Sequence, residues 1–524
     1  MTSISALHEF KNWVIALRKP ALFLTLMATT WQTGMAAPAL AAPIYVNSLS
    51  IPGNTLDLSG GTTANNGRFG AFSGLYYLPS QNQWFGLSDR GPGGGTLDYK
   101  TRLQRFSLDV DNNTGAISNF QILQTILFRN GNTYLNGIAP ASAGILGNSF
   151  DPEGFVVLPR SGNFLASDEY GPSLYEFNPG GEFIRSFSVP SNVLPKSSGS
   201  IDYLASPKPG TLTSGREGNR GLEGLAVSPD GRFAFAMLQN GVITDGDSSG
   251  STFARSGYTR ILKYDVDSGN VVSQYAYQLA STGQGRGISE IVALDDHRFM
   301  VIERNNRGVG VNSALASPDK NIFMIDLNGA SDVSSLDLTS PLGLNITPVT
   351  KSSVFIDLDI NTIAALNNRS PEKWEGLAVG PRLNDGSYLL LAGTDNDYSV
   401  TQNGSNTQFD VYFNPSNSNR LQCDLDATTN CYAINANGVT GTTNLGNLPA
   451  GYQLIPGLLQ AYKASAADLG GYTPPTTPAP GPLPVLGALS ALGWSRRLRR
   501  RRGRGTVMSA AVMGLPGSPN RRHP

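Results

Sequence analysis

A two-hairpin unit recurs along the middle of the chain, and it constrains the fold more than any other feature. A small or acidic residue, usually Glu-Gly, runs into an apolar strand, a turn follows, and a second strand ends in polar residues. The copies are Ser73–Pro79 leading to Trp84–Arg90, Glu153–Pro159 leading to Phe164–Glu169, and Glu223–Pro229 leading to Phe233–Asn240. Two more are Ser289–Leu294 leading to Arg298–Arg304, and Glu375–Val379 leading to Tyr388–Asp395. After a variable loop a second unit follows: Leu103–Leu108, Leu174–Asn178, Ile261–Val266 and Asn321–Leu327, each ending in an Asp, Asn or Gly-rich turn. Period-two alternation between such turns is a strand signature, and two hairpins per period make a four-stranded sheet.

A lone four-stranded sheet cannot bury both faces, so the repeats must stack, and radial closure removes their unprotected edges. The copies start 80, 70, 67 and 85 residues apart, counted from Ser73 and its equivalents. Spread over residues 42–465, that spacing predicts an all-β, six-bladed β-propeller, with Ile44–Leu56 supplying a strand that closes the ring on the C-terminal blade. The irregular spacing keeps a pair of β-sandwiches as the competing architecture. Composition agrees with short strands and many turns: 60 Gly, 33 Pro and only 15% charged residues in 524.

The formal net charge of zero hides a segregation. Taking the twelve basic residues and one acid of residues 1–41 and 496–524 from the 39 of each sign leaves a body with a net charge of −11. An acidic body argues against a nucleic-acid partner and favours cations. Residues 1–41 read as an export signal: Lys11, Arg18 and Lys19 precede the apolar run Ala21–Ala28, and Ala39-Leu40-Ala41 suits a signal peptidase. The predicted location is therefore periplasmic, cell-surface or extracellular. The two cysteines, Cys423 and Cys431, read as a local disulfide in an exported chain, the alternative being half of a metal site.

Residues 466–482 read as a Pro-rich spacer, 483–504 as an apolar segment followed by arginines, and 505–524 as a disordered tail. Twelve apolar residues are marginal for a membrane span. The order of Pro474–Pro482, the stretch Pro482-Leu483-Pro484-Val485-Leu486-Gly487-Ala488, and the cluster Arg496 to Arg502 resembles a PEP-CTERM-type bacterial sorting tail in its cyanobacterial form. That resemblance implies surface sorting and transient membrane association of an otherwise monomeric protein.

Strand starts in a propeller approach the axis, so Glu153, Glu223, Glu290 and Glu375 are expected to share one channel mouth. A second set lies at the ends of the following strands: Asp89, Asp168 with Glu169, Glu303, and Asp395 with Asp397. Like charges this close raise one another's pKa unless neutralised. Clustered carboxylates are hard oxygen ligands, which points to Ca²⁺ held by Glu153, Glu223, Glu290, Glu375, Asp89, Asp168 and Asp395. Arg90, Arg216, Arg220, Arg304, Arg307 and Lys373 either pair with these acids or grip an oxyanion. A purely architectural Glu, accepting backbone N–H groups of a neighbouring blade, is the competing reading. Asp109–Gly115 and Asp265–Gly269 read as hairpin turns, and Asp245-Gly246-Asp247 as a weak ion site. His297 alone stands in the body, in a turn, which argues against a Ser-His-Asp hydrolase and a histidine zinc site.

The segments Asp151-Pro152-Glu153-Gly154, Gly221–Ala226, Ile288-Ser289-Glu290 and Lys373–Ala378, with Gly86–Gly91, resemble the phytase-like domain family, "esterase-like activity of phytase", over roughly Phe69 to Asp397. The resemblance implies a propeller and phosphoester hydrolysis; propeller phytases, more distantly similar, use acid-held calcium beside Lys and Arg that bind phosphate. Two functions stand open on sequence alone. One is calcium-assisted hydrolysis of a small phosphomonoester or other ester, with Glu223, Glu290 and Glu375 as ligands or base and Arg90, Arg304 and Arg307 stabilising phosphoryl charge. The other is a noncatalytic surface or matrix platform stabilised by calcium.

Overall fold

The computed structural model describes residues 42–204, 212–247, 254–255, 257–281, 283–339, 341–360 and 363–475. The export signal, the apolar-plus-arginine segment and the terminal tail fall outside the described residues. No α-helix occurs among the described residues, and none of them forms a helix long and apolar enough to cross a membrane.

Five antiparallel four-stranded sheets carry the body. The first runs Gly74–Leu78, Gln83–Ser88, Arg102–Val110, Ile117–Leu127, and the second Pro152–Val157, Phe164–Asp168, Leu174–Phe177, Phe183–Ser186. The third runs Leu222–Val227, Phe233–Leu238, Tyr258–Asp265, Asn270–Gln278, and the fourth Gly287–Ala293, Arg298–Arg304, Lys320–Asp326, Thr350–Asp357. The fifth takes Lys373–Arg382, Tyr388–Asp395 and Gly457–Ala464, and its fourth strand is the N-terminal Ile44–Ile51, paired antiparallel to Gly457–Ala464. The expected pairing of the N-terminal segment with the C-terminal sheet is thus observed, over Ile44–Ile51.

Apolar wedges fill the spaces between neighbouring sheets. Phe85 of the first meets Phe155 and Phe164 of the second, Leu165 faces Leu225, Phe235 stacks edge-on against Phe299, and Met300 and Ile322 pack toward Trp374 and Leu390. Trp84 and Leu75 of the first sheet pack with Leu389 and Leu391 of the fifth, so the last sheet leans on the first. Period-two alternation serves this arrangement, since both faces of each sheet meet another sheet. The result is an all-β, propeller-like body.

Six blades were expected, and the sheets number five among the described residues. The chain between the second and third strands of the fifth sheet, about Val400–Leu454, folds instead into a separate six-stranded sheet at the side of the body. Its strands are short and pair with one another, and the loop between two of them is clipped by the Cys423–Cys431 disulfide, with Cα atoms 4.1 Å apart. The body also runs past residue 465. Leu469 and Tyr472 are buried, and Tyr472 packs edge-on against Tyr388 at 5.0 Å, beside the ends of the inner strands.

Candidate functional site

The inner strands explain why Glu-Gly recurs. A Cβ on Gly154 would lie 2.5 Å from the Glu223 carbonyl, one on Gly224 2.4 Å from the Ile291 nitrogen, and one on Gly376 2.6 Å from Leu75. Only glycine lets adjacent inner strands approach this closely. Strand pairing also slips at the same place, between Pro152 and Phe155, Leu222 and Leu225, Ile288 and Glu290, and Trp374 and Gly376. A bulge re-aims the side chain it carries, here toward the common mouth of the inner strands.

The fourth sheet departs from the expected alignment. Its slip falls on Ser289, so Ser289 stands in the column of Glu153, Glu223 and Glu375, while Glu290 occupies the glycine column. Where the other sheets carry a bare glycine, this one carries the Glu290 side chain. Its Oε1 accepts backbone N–H bonds from Ile291 at 3.0 Å and from Leu225 of the neighbouring sheet at 3.1 Å; Oε2 has no hydrogen-bond partner and lies close to the Gly74 backbone. Burial raises this carboxyl well above the usual range, against the stabilising pull of the backbone N–H groups of Ile291 and Leu225. Glu290 therefore behaves as a fastener between inner strands, the architectural role weighed for these glutamates.

Above it sits a pit of acids and bases. Carboxylate oxygens of Asp89, Asp151 and Glu153 come within 4.8 Å of one another, and all three residues are buried. Arg90 bonds Asp151 at 2.5 Å and Glu169 at 3.3 Å, and also reaches Asn219. Lys373 bonds Asp395 at 2.8 Å and Asp397 at 2.7 Å. Arg304 pairs with Glu375 and donates to Ser289 at 2.8 Å. Asp89 keeps one oxygen on the Gly91 N–H at 2.9 Å and forms no ion pair among the described residues, and the Glu153 and Glu223 side chains have neither ion pair nor hydrogen bond there.

Those pairings leave the charges unbalanced. Burial comes first in raising Glu153 well above the usual carboxylate range, with Glu223, Asp151 and Asp89 adding repulsion. Burial likewise raises Glu223, with Glu169 and Glu375 adding to it and Arg304 and Arg220 opposing. Asp89 rises through burial and the charges of Asp395 and Asp151. Asp151 is pushed up to about 7 by burial even with Arg90 beside it. Such a site favours protons, or a cation in their place. The all-oxygen cluster of Asp89, Asp151 and Glu153 fits a hard divalent ion, with the Glu223 charge close enough to act on Glu153.

Other expected residues take different places. Asp168 accepts backbone N–H bonds from Asp151 at 3.0 Å, Tyr170 at 3.2 Å and Gly171 at 2.8 Å, which ties a turn together; burial still lifts it to about 7. Glu303 alternates away from Arg304 and is held by Arg286, Lys351 and Tyr277 behind the third sheet. Asp245 is locked by Arg260 and the Leu338 N–H. Arg216 donates to the Tyr170 carbonyl. Arg307, half-buried, has no ion pair among the described residues. His297 lies in the turn between Gly287–Ala293 and Arg298–Arg304, as expected. Asp151 was not singled out from sequence; its signal was the Asp-Pro that opens the strand, two residues before Glu153.

A family model described as "Phytase-like: Esterase-like activity of phytase" matches residues 67–398. An uncharacterized secreted protein of Arthroderma benhamiae is 26% identical over 330 residues, covering 53% of this chain and 63% of that protein, so the chain spans less than two thirds of its relative's length. Among solved structures, an exo-beta-1,3-galactanase from Phanerochaete chrysosporium is 11% identical with a TM-score of 0.33, covering 78% of this chain and 70% of that one. A streptogramin B lyase is 12% identical with a TM-score of 0.25, covering 79% and 97%. At such scores neither likeness carries an argument about fold or activity. The family match spans all five inner strands, from Gly74 to Arg382, together with the pit they surround, and the chain belongs to the phytase-like family.

Proposed function

We propose that this is an exported protein whose axial pit holds a calcium ion and hydrolyses a small phosphomonoester or related ester. The observation that carries the reading is the set of buried carboxylates, Asp89, Glu153 and Glu223, that no protein cation pairs within the described residues. The family description, the hard oxygen donors and the acidic body support it. Export is supported by the signal-like residues 1–41, the disulfide and the secreted relative.

Asp89, Asp151 and Glu153 would hold the ion, and bound calcium would supply charge neutralisation and Lewis acidity toward a phosphoryl oxygen. Glu223, unpaired and with a raised pKa, is suited to take the proton of an attacking water. The water oxygen bonds to phosphorus, the bond from phosphorus to the alcohol oxygen breaks, the leaving alkoxide takes a proton from solvent water, and Glu223 returns its proton to solvent. Arg307, half-buried and without an ion pair among the described residues, would meet the phosphate oxygens. Arg90 and Arg304 position Asp151, Glu169 and Glu375 through their ion pairs.

A second reading, a noncatalytic calcium-stabilised platform, draws on one specific observation: Arg90 and Arg304 are already engaged by carboxylates rather than left open for substrate. Phosphate release from p-nitrophenyl phosphate and phytate, with calcium and with chelator, separates the two. Calcium-dependent turnover lost in Glu223→Gln and weakened in Arg307→Ala supports the hydrolase. Thermal stabilisation by calcium with no turnover on phosphate or carboxylic esters supports the platform.

A further inference from the structure

A cavity of about 570 Å³ lies apart from the pit, at the seam between the N-terminal closing strand and the side sheet. Its volume falls within the usual range for small-molecule sites. Three charged residues lie at one end. Arg68, buried, pairs with Asp410 and reaches Asp426 at 3.3 Å; Asp426 closes onto Asp410 through its backbone N–H at 2.9 Å, and its carboxylate accepts the Ala64 N–H at 3.0 Å while staying 37% exposed. One guanidinium against two carboxylates leaves this end with a net charge of −1.

Beside the charges, aromatic rings and neutral polar groups line the wall. Tyr412 and Tyr452 contribute aromatic surface, and Asn54, Thr428 and Gln453 contribute amides and a hydroxyl. The Tyr412 hydroxyl is spent on the Ala427 carbonyl at 3.2 Å, whereas Tyr452 is half-buried with no hydrogen bond among the described residues. An anionic ligand would meet the unbalanced aspartate, and a wholly apolar one would cover the carboxylate and amides without replacing their water. A polyhydroxylated ring satisfies both conditions: its hydroxyls donate to Asp426 and exchange bonds with the amides, and its C–H faces lie on tyrosine.

We propose that this cavity is a saccharide-binding site, taking an uncharged sugar unit, and that it acts independently of the axial pit. The side sheet that forms most of it lies beyond residue 398, where the family match ends, so the site is an addition to the shared body.

The test is saturation-transfer NMR and calorimetry on the full chain with glucose, galactose, N-acetylglucosamine, cellobiose and chitobiose. Polymeric cellulose and chitin in pull-down form distinguish free sugar from chain-end or surface recognition. At least one sugar is expected to bind, with Tyr452→Ala and Asp426→Asn each weakening it about tenfold or more. Asn54→Ala, at an exposed position, gives a second variant that does not depend on the Arg68 cluster. Glu153→Gln in the pit should leave sugar binding unchanged, and a cavity variant should leave any calcium response unchanged. Absence of binding across the panel at about 10 mM, or binding that survives Tyr452→Ala, Asp426→Asn and Asn54→Ala alike, overturns the assignment.

Discussion

Replacing Glu153 by Gln removes one charge from the densest part of the pit while keeping the side chain's shape. Its oxygens lie within 4.8 Å of those of Asp89 and Asp151. At an effective dielectric of about 20, two unit charges at that distance repel by roughly 3–4 kcal/mol. Asp151 is offset by Arg90, so the repulsion from Glu223 and Asp89 is the part that is gained back. Because the folded-state pKa of Glu153 is raised, the native state binds more protons than the unfolded chain above the ordinary carboxylate pKa. Stability is then fully present at acid pH and falls as pH rises through the folded pKa, by up to about 1.4 kcal/mol per unit for this one group. In chelator, melting followed by calorimetry should show the parent losing stability between pH 5 and 7.5. Glu153→Gln should match the parent at pH 5, exceed it at pH 7.5 by about 1–3 kcal/mol, and melt a few degrees higher. Calcium at 100 times its Kd should stabilise the parent by about 2.7 kcal/mol at pH 7.5 and the variant by less than half of that. A variant that is less stable than the parent in chelator at pH 7.5, with the calcium response intact, refutes the electrostatic account of the pit.

Further outcomes follow from other parts of the chain. Gly224→Val places side-chain atoms where the Ile291 nitrogen already lies 2.4 Å from a Cβ, and should cost more than about 3 kcal/mol or prevent folding, while Gly162→Ala in an open turn should cost about 1 kcal/mol by denaturant melts. Lys320 is buried against Asn305 and the Arg307 carbonyl, and burial lowers it to about 7. Its folded pKa lies below the unfolded one, so the cost of burying its charge is present below pH 7 and is relieved as pH climbs toward the ordinary lysine value. Lys320→Met should accordingly flatten the rise of parent stability between pH 7 and 10, as read by urea melts. Reducing the disulfide, or Cys423→Ser with Cys431→Ser, should loosen the side sheet by roughly 2–3 kcal/mol, seen as faster hydrogen exchange in Arg420–Asp424 with little change at the inner strands.

Much of the body was legible in the chain because glycine and alternation report backbone geometry directly. The four-strand units, the pairing of the N-terminal strand with the C-terminal sheet and the common register of Glu153, Glu223 and Glu375 could all be read from residue order. The sheet count could not, because residues 400–454 carry strand signals without saying which neighbour they pair with. Glu290 was misaligned by one position: matching glutamate to glutamate puts it in the ring, whereas matching the apolar run Ile291–Ala293 to Leu225–Val227 puts it under glycine. Glu303 and Arg304 show the same limit, since one step along a strand sends a side chain to the opposite face. Asp151 escaped notice because its partners, Asp89 and Arg90, come from a different sheet.

The most direct measurement is the anomalous difference density of a crystal soaked in a calcium-mimicking lanthanide. The account predicts a peak bounded by Asp89, Asp151 and Glu153 at the mouth of the inner strands, lost in Glu153→Gln. A map with that pit empty and the metal only at Asp295-Asp296-His297 on the turn contradicts it.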